Sequence, residues 1–219
     1  MDLKRFFRKQ KAWSGDKPTV HDMRWLLSEH PNTTLLAVSR TGAAVLNDLV
    51  LQTLHPRKAP LVTLRGDVES KPDNYNREGQ LKPHGQLIPS KLKIYVGQQL
   101  YMTKNVRKDT DYVNGMKCLV ESWDERTRAV VVKTATGRRV AVTPRSDEDL
   151  GGLVYYPLRL GYASTIMKFQ SAELEHVTLY LDRAHVPAAA YTAMSRVRHC
   201  SHCLFGGWLT QHHFTPARL

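Results

Sequence analysis

The chain has 219 residues, 42% of them hydrophobic, and a formal net charge of +12 at neutral pH. That length suits one sizeable domain, or one domain with a small insert, and the apolar share is that of a globular fold. The cationic excess favours polyanionic partners, nucleic acid before an anionic membrane surface, and no apolar run approaches the ~18 residues of a spanning helix.

The basic start, Met1-Asp2-Leu3-Lys4-Arg5, leads into no apolar signal core. An intracellular setting is therefore expected, nucleus or mitochondrion in a eukaryote. The stretch to Trp13 interleaves cations with Phe6, Phe7 and Trp13. It reads either as a solvated terminus or as part of a site. Ser14-Gly15-Asp16-Lys17-Pro18 is a turn, and Asp16 or Thr19 is placed to cap a helix through His21–Leu27. Thr33–Val38 is a β-rich apolar run, and Ser39–Gly42 reads as a tight turn before a helix over Ala43–Leu54. Strand, turn and helix make half of a parallel βαβ unit. Arg65–Ser90 is rich in Gly, Pro, Asn and Asp and predicts an extended connection.

From Leu92 the pattern changes. Short runs at Leu92–Val96, Gln99–Asn105, Met116–Trp123, Ala129–Thr134 and Arg138–Val142 are broken by Gly97, Asn114-Gly115 and Thr136-Gly137. Short strands with tight turns in so small a span predict an antiparallel barrel. Its cations include Lys93, Lys104, Arg107, Lys117, Lys133, Arg138 and Arg139, a surface suited to guiding a nucleic-acid strand or simply a solvated face. Pro144–Gly152 reads as an acidic linker. Leu174–Leu181 alternates into a strand, and Ala188–Arg198 reads as an Ala-rich helix ending in Arg196 and Arg198. His212-His213 in the tail read as solvent groups.

Cys118, Cys200 and Cys203 are too few for a disulfide framework and fit a reducing compartment. In His199-Cys200-Ser201-His202-Cys203 the side chains are too close in sequence to close a tetrahedron, so no metal site is expected.

Two of these stretches carry a resemblance. Ala190-Tyr191-Thr192-Ala193-Met194-Ser195-Arg196-Val197-Arg198 resembles the last motif of the Pif/RecD-type superfamily-one DNA helicases, roughly A-Y-V-A-L-S-R-V-R. Ser164–Ser171 resembles the preceding motif, roughly S-I-H-K-S-Q-G. Leu3–Gln10 is similar to the family's L-x-x-x-F-R-Q segment, and Val96-Gly97-x-x-Leu100 with Val113-Asn114-Gly115 is similar to its barrel run. The resemblance implies an α/β fold: a RecA-like parallel sheet flanked by helices, with an inserted small antiparallel SH3-like β-barrel. It places the RecA-like domain at 1–91 and 151–219 and the barrel at 92–150.

It also assigns roles. Arg196 and Arg8 become the catalytic arginines that approach a nucleotide phosphate; Gln170 and Arg198 become nucleotide contacts. Thr165, Lys168, Lys104 and Asn114 become DNA contacts, and Asn47 falls where the family places an Asn on a helix. The chain contains no Gly-Lys dipeptide, so the phosphate-cradling G-x-x-x-x-G-K-[ST] loop of a first motor domain is absent from it. The resemblance thus covers only the family's second half. The partners it implies are single-stranded DNA and a RecA-like first domain, in cis or in trans. ATP with Mg2+ would be held only together with that domain, and the chain alone is expected to be inactive as an ATPase. The alternative is a non-catalytic basic nucleic-acid-binding module. Met167, Phe169 and Ser171 stand where the motif has His, Ser and Gly, and these departures favour that alternative.

Overall fold

The computed structural model describes residues 8–169 and 173–215. Along the chain come α1 (Val20–Glu29), β1 (Thr33–Ala37) and α2 (Arg40–Leu54). Then follow β2 (Val62–Gly66), β3 (Ser90–Ile94), β4 (Gln99–Met102), β5 (Lys117–Asp124), β6 (Ala129–Thr134) and β7 (Arg139–Val142). After β8 (Arg145–Asp147), β9 (Leu153–Tyr155) and β10 (Leu158–Leu160), the chain reaches β11 (Ala163–Thr165), β12 (His176–Leu181), α3 (Ala189–Met194) and β13 (Cys203–Gly207). Among the described residues no helix is long and apolar enough to cross a membrane. The chain divides into two compact units, one from Arg57 to Gly161 and one from the flanking segments.

The unit built from the flanking segments is a parallel sheet of order β11-β1-β12-β13 with helices on both faces. Strand alternation makes the layers. Leu35 and Ala37 of β1 and Leu204 of β13 point to one face, where they meet Met23, Leu26, Leu46 and Val50 of α1 and α2. Leu36, Val177, Leu179, Leu181 and Phe205 point to the other face, where Ala189, Ala190 and Ala193 of α3 cover them. A strand buried on both sides must be apolar at nearly every position, which is why Leu35-Leu36-Ala37 reads as a continuous apolar run; in β12 the buried Thr178 interrupts the run and bonds Thr33 Oγ1 at 2.8 Å.

Both long helices begin where a side chain can take over an orphan backbone donor. Thr19 accepts from the Asp22 amide at 3.2 Å while the Asp22 carboxylate accepts from the Thr19 amide at 2.8 Å, closing a capping box. Ser39 accepts from the Gly42 amide at 3.0 Å. The expected turn at Ser39–Gly42 is therefore the first turn of α2, because Ser39 supplies the cap. Residues 10–12 lie along β13, with Phe205 N donating to Gln10 O at 2.7 Å and Ala12 N to Phe205 O at 2.8 Å. Trp13 is thereby pressed flat over Gly206: a Cβ there would sit 2.0 Å from its ring.

The Arg57–Gly161 unit is antiparallel. Its main sheet has the order β10-β4-β5-β6-β7, and two-stranded ladders β2–β3 and β8–β9 accompany it. Leu64, Leu92, Ile94, Leu100, Met102, Val120, Val130, Val132 and Leu158 form one buried core. The unit is larger than the expected 92–150, because β2 pairs with β3 and β10 pairs with β4. Two expectations are corrected within it. Residues 65–90 are a stapled loop: buried Asn74 donates to Val68 O and Ile88 O at 2.8 Å and accepts from Ile88 N at 3.0 Å. The supposed acidic linker holds β8, which pairs with β9 just beyond it, and Asp147 within it is only 8% exposed.

Candidate functional site

The motif residues lie at two ends of the parallel sheet. Thr165 closes β11 and is level with Ala37, which in turn is level with Tyr180. Arg196 lies at the opposite end. Its carbonyl accepts from Leu174 N at 2.7 Å, and Val197 bridges Leu174 just before β12 begins. Leu174 and Tyr180 are about six residues of strand apart, so Thr165 and Arg196 are separated by roughly 20 Å along the sheet. Lys168, exposed in the 3-10 turn Ile166–Phe169, follows Thr165, and that turn packs against α3.

The end carrying Arg196 is built by small residues. Ala189, Ala190 and Ala193 let α3 sit close on β12, and Ala188 enters it in a left-handed conformation, φ 58°. The helix is short, so its last turn delivers Arg196 directly. Arg196 is half-buried, and its guanidinium donates back to Ser195 Oγ at 3.0 Å and to Thr192 O at 3.4 Å. Arg198 instead pairs with Glu173. The two arginines are thus not equivalent: among the described residues the guanidinium of one bonds only its own turn, while the other holds a carboxylate. Arg8 is exposed, two residues before Gln10, at the same end of the sheet as Arg196. Gln170 and Ser171 lie outside the described residues.

The Thr165 end is set by two half-buried clamps. Asn47, on α2, accepts from Tyr162 N at 3.1 Å and Ala163 N at 3.0 Å and donates to Ala163 O at 2.9 Å. It fixes the entry to β11 and hence the direction in which Thr165 leaves it. Asp182, just after β12, accepts from Val38 N and Ser39 N at 3.1 Å and from the Ser39 hydroxyl. Its carboxylate lies against Gly42, where a Cβ would approach within 2.5 Å. A carboxylate at a helix N-terminus is favoured by the aligned backbone donors there.

In the antiparallel unit Lys104 is held by Asp147 at 2.7 Å, and Tyr155 OH donates to the same carboxylate at 2.8 Å. Burial raises the Asp147 carboxyl, but the bonds from Lys104 and Tyr155 outweigh it and leave it below its usual range. The same bond to Asp147 raises Lys104. Asn114 is exposed on its turn, its amide donating to Asn105 Oδ1 at 2.9 Å. Arg138 pairs with Asp111 and Arg139 with Glu121.

Sequence reasoning missed two groups of histidines. His30 and His176 stack at 4.4 Å between ring centroids, His202 lies 6.4 Å from His176, and His199 lies 5.4 Å from His202. His176 bonds Thr33 Oγ1 at 2.9 Å, and burial, with His30 and His202 nearby, lowers it to about 4. Only the strand register brings these residues together. His213, expected in solvent, is fully buried: Nε2 donates to Arg183 O at 2.7 Å and Nδ1 accepts from Thr210 N at 3.1 Å. Among the described residues no cluster of His, Cys, Asp or Glu has the arrangement of metal ligands.

A parallel sheet covered on both faces, with an antiparallel unit in mid-chain, defines the class of fold: a RecA-like α/β domain. Comparisons with known proteins agree. No protein-family model matches the chain. Over 128 residues it is 31% identical to the ATP-dependent DNA helicase Pif1 of Bdellovibrio bacteriovorus, a stretch covering 55% of this chain and 28% of that protein. The Pif1 helicase of Candida albicans shares the fold over 99% of this chain and 51% of its own, with 20% identity and a TM-score of 0.64. Bacteroides Pif1 bound to single-stranded DNA shares it over 91% of this chain and 48% of its own, with 17% identity and a TM-score of 0.58. Over that matched stretch the chain is similar in sequence to a Pif1 helicase, it shares the fold of the solved ones, and it spans about half the length of those solved relatives.

Proposed function

We propose that the chain works as the C-terminal portion of an ATP-dependent DNA helicase, coupling ATP hydrolysis to movement along single-stranded DNA. The observation that carries this reading is the state of Arg196. It is half-buried, presented by a short helix end, and among the described residues its guanidinium bonds only its own turn. An arginine so held supplies charge to a phosphoryl group at the moment of transfer, with little reorganisation. The nucleotide and its Mg2+ are substrate held by a RecA-like first domain, in cis or in trans. Arg8 lies at the same end of the sheet and is the second cation of that approach. Arg198, tied to Glu173, positions the segment.

Single-stranded DNA passes the other end, where Thr165 and Lys168 contact its backbone. Asn114 of the antiparallel unit offers a further contact. Lys104 contributes more to Asp147 than to DNA, since moving it away would strand a nearly buried carboxylate.

The purified chain alone is expected to hydrolyse no ATP above background, with or without DNA. Joined to a first domain carrying the phosphate-cradling loop, it should hydrolyse ATP, and Arg196→Ala should lower kcat by about 10³-fold or more. Arg198→Ala should cost less. DNA-stimulated hydrolysis by the chain alone, abolished by Arg196→Ala, overturns the reading.

One observation favours a second reading, a non-catalytic nucleic-acid-binding module. Met167, where the motif has His, is 63% exposed, an apolar group in a place suited to a polar backbone contact. On that reading the joined protein binds DNA with no effect of ATP.

A further inference from the structure

The ribbon β2–β3 has two chemically opposite faces. Leu64, Leu92 and Ile94 point into the core of their unit, while Thr63, Arg65, Lys91 and Lys93 are exposed. The register sets Arg65 directly across from Lys91 and Thr63 across from Lys93. Like charges directly opposed on a ladder are destabilising. Neither these lysines nor Arg65 is ion-paired among the described residues. Other cations of the same unit are compensated: Lys104 by Asp147, Arg138 by Asp111 and Arg139 by Glu121.

Edge protection does not account for Arg65 on β2. Cationic side chains often guard an open strand edge, but β2 is not open. β3 pairs with one side, and on the other Tyr156 N donates to Arg65 O at 2.8 Å and Asp67 N to Leu158 O at 3.0 Å. Arg65 therefore stands, uncompensated, on a strand held from both sides and directly across from Lys91 of β3.

We propose that this ribbon is a second binding track for the phosphodiester backbone of single-stranded DNA, outside the motif residues. The proposal rests on the helicase reading above and extends it to the antiparallel unit. Strand geometry sets Lys91 and Lys93 roughly 6.6 Å apart on one face, with Arg65 about 5 Å across from Lys91. That spacing follows successive phosphates of an extended strand. None of the four outward residues is aromatic, so the contact is charge to phosphate, with no base stacked and no sequence read. The inner face, locked in the core, keeps the file rigid.

The test uses the full chain and its Arg65→Gln, Lys91→Gln, Lys93→Gln triple variant, titrated with fluorescein-labelled oligo(dT) across a range of NaCl concentrations. The affinity at low salt is expected to fall at least about tenfold. The slope of log K against log salt should flatten by roughly 2, about 0.7 for each of the lost contacts. The Tm should stay level or rise, because the opposed charges are gone. Unchanged affinity and slope overturn the proposal. So does lost binding with a lowered Tm, which makes the cations a folding feature, or tighter binding of duplex or of oligo(U) by the parent chain. A Thr165→Ala, Lys168→Gln variant separates the two readings. If it binds like the parent while the triple variant does not, the motif assignment fails and the ribbon stands. If the parent binds nothing even at low salt, both fall.

Discussion

The two units reach order by different routes. The antiparallel unit joins mostly neighbouring strands through tight turns, and its glycines at 97, 115 and 137 meet nothing within 4 Å of where a Cβ would stand. The parallel unit must bring together residues up to 56 and residues from 162 onward. It does so by close approach: Trp13 over Gly206, Asp182 against Gly42, and Asn47 gripping the backbone at 162–163. Contacts distant in sequence cost more loop closure, and here they are secured by a few tightly fitted places rather than by many turns. The parallel unit should therefore be brittle where the antiparallel unit is tolerant.

The hardest blow to that contrast falls on Gly206. Gly206→Ala drives a methyl into a Trp13 ring that has no room to retreat, and should cost about 3 kcal/mol or more. Gly137→Ala, at φ 88° but in open space, should cost about 1 kcal/mol of backbone strain. Chemical denaturation followed by tryptophan fluorescence and by far-UV circular dichroism compares them, and equal losses would end the distinction.

Asn47→Ala comes next. It leaves the amides of Tyr162 and Ala163 and the carbonyl of Ala163 without their partner, at a cost of about 2–3 kcal/mol. Hydrogen exchange should show faster opening confined to the parallel unit, with β5 and β6 of the antiparallel unit unchanged. Loss spread evenly over both units would mean that Asn47 is an ordinary helix-face residue.

The smallest effect is one of pH. His176 is lowered from its ordinary value of 6.5 to about 4, first by burial and then by His30 and His202. The unfolded chain takes up the proton first, so the stability of the neutral imidazole is complete above pH 6.5 and drains away as pH falls toward 4. Allowing for its partial exposure, the loss is on the order of 1–2 kcal/mol. In His176→Gln the pH slope of the melting temperature between 6.5 and 4 should flatten.

The same contrast governs how far the fold could be read in advance. α1, β1, β5, β6 and β12 announce themselves by period and by caps, because burial there is set by local pattern. The motif residues Thr165, Lys168 and Arg196 stood out only through resemblance to a family. What stayed hidden depends on register. Asp147 looked like linker until β8 paired with β9, His213 looked like solvent until it met Arg183 O, and His30 and His176, distant in sequence, became neighbours of each other and of the His199–His202 pair. Asn74 had no signature at all, since its bonds to 68 and 88 fold a loop that composition alone marks as loose.

In open α/β sheets, ligands usually enter above the carboxyl ends of the strands, drawn by helix starts. Here the carboxylate of Asp182 already occupies the start of α2, held by two amides and a hydroxyl. The protein has plugged its own phosphate seat with a built-in anion. The start of α2 is thereby closed to any further anion.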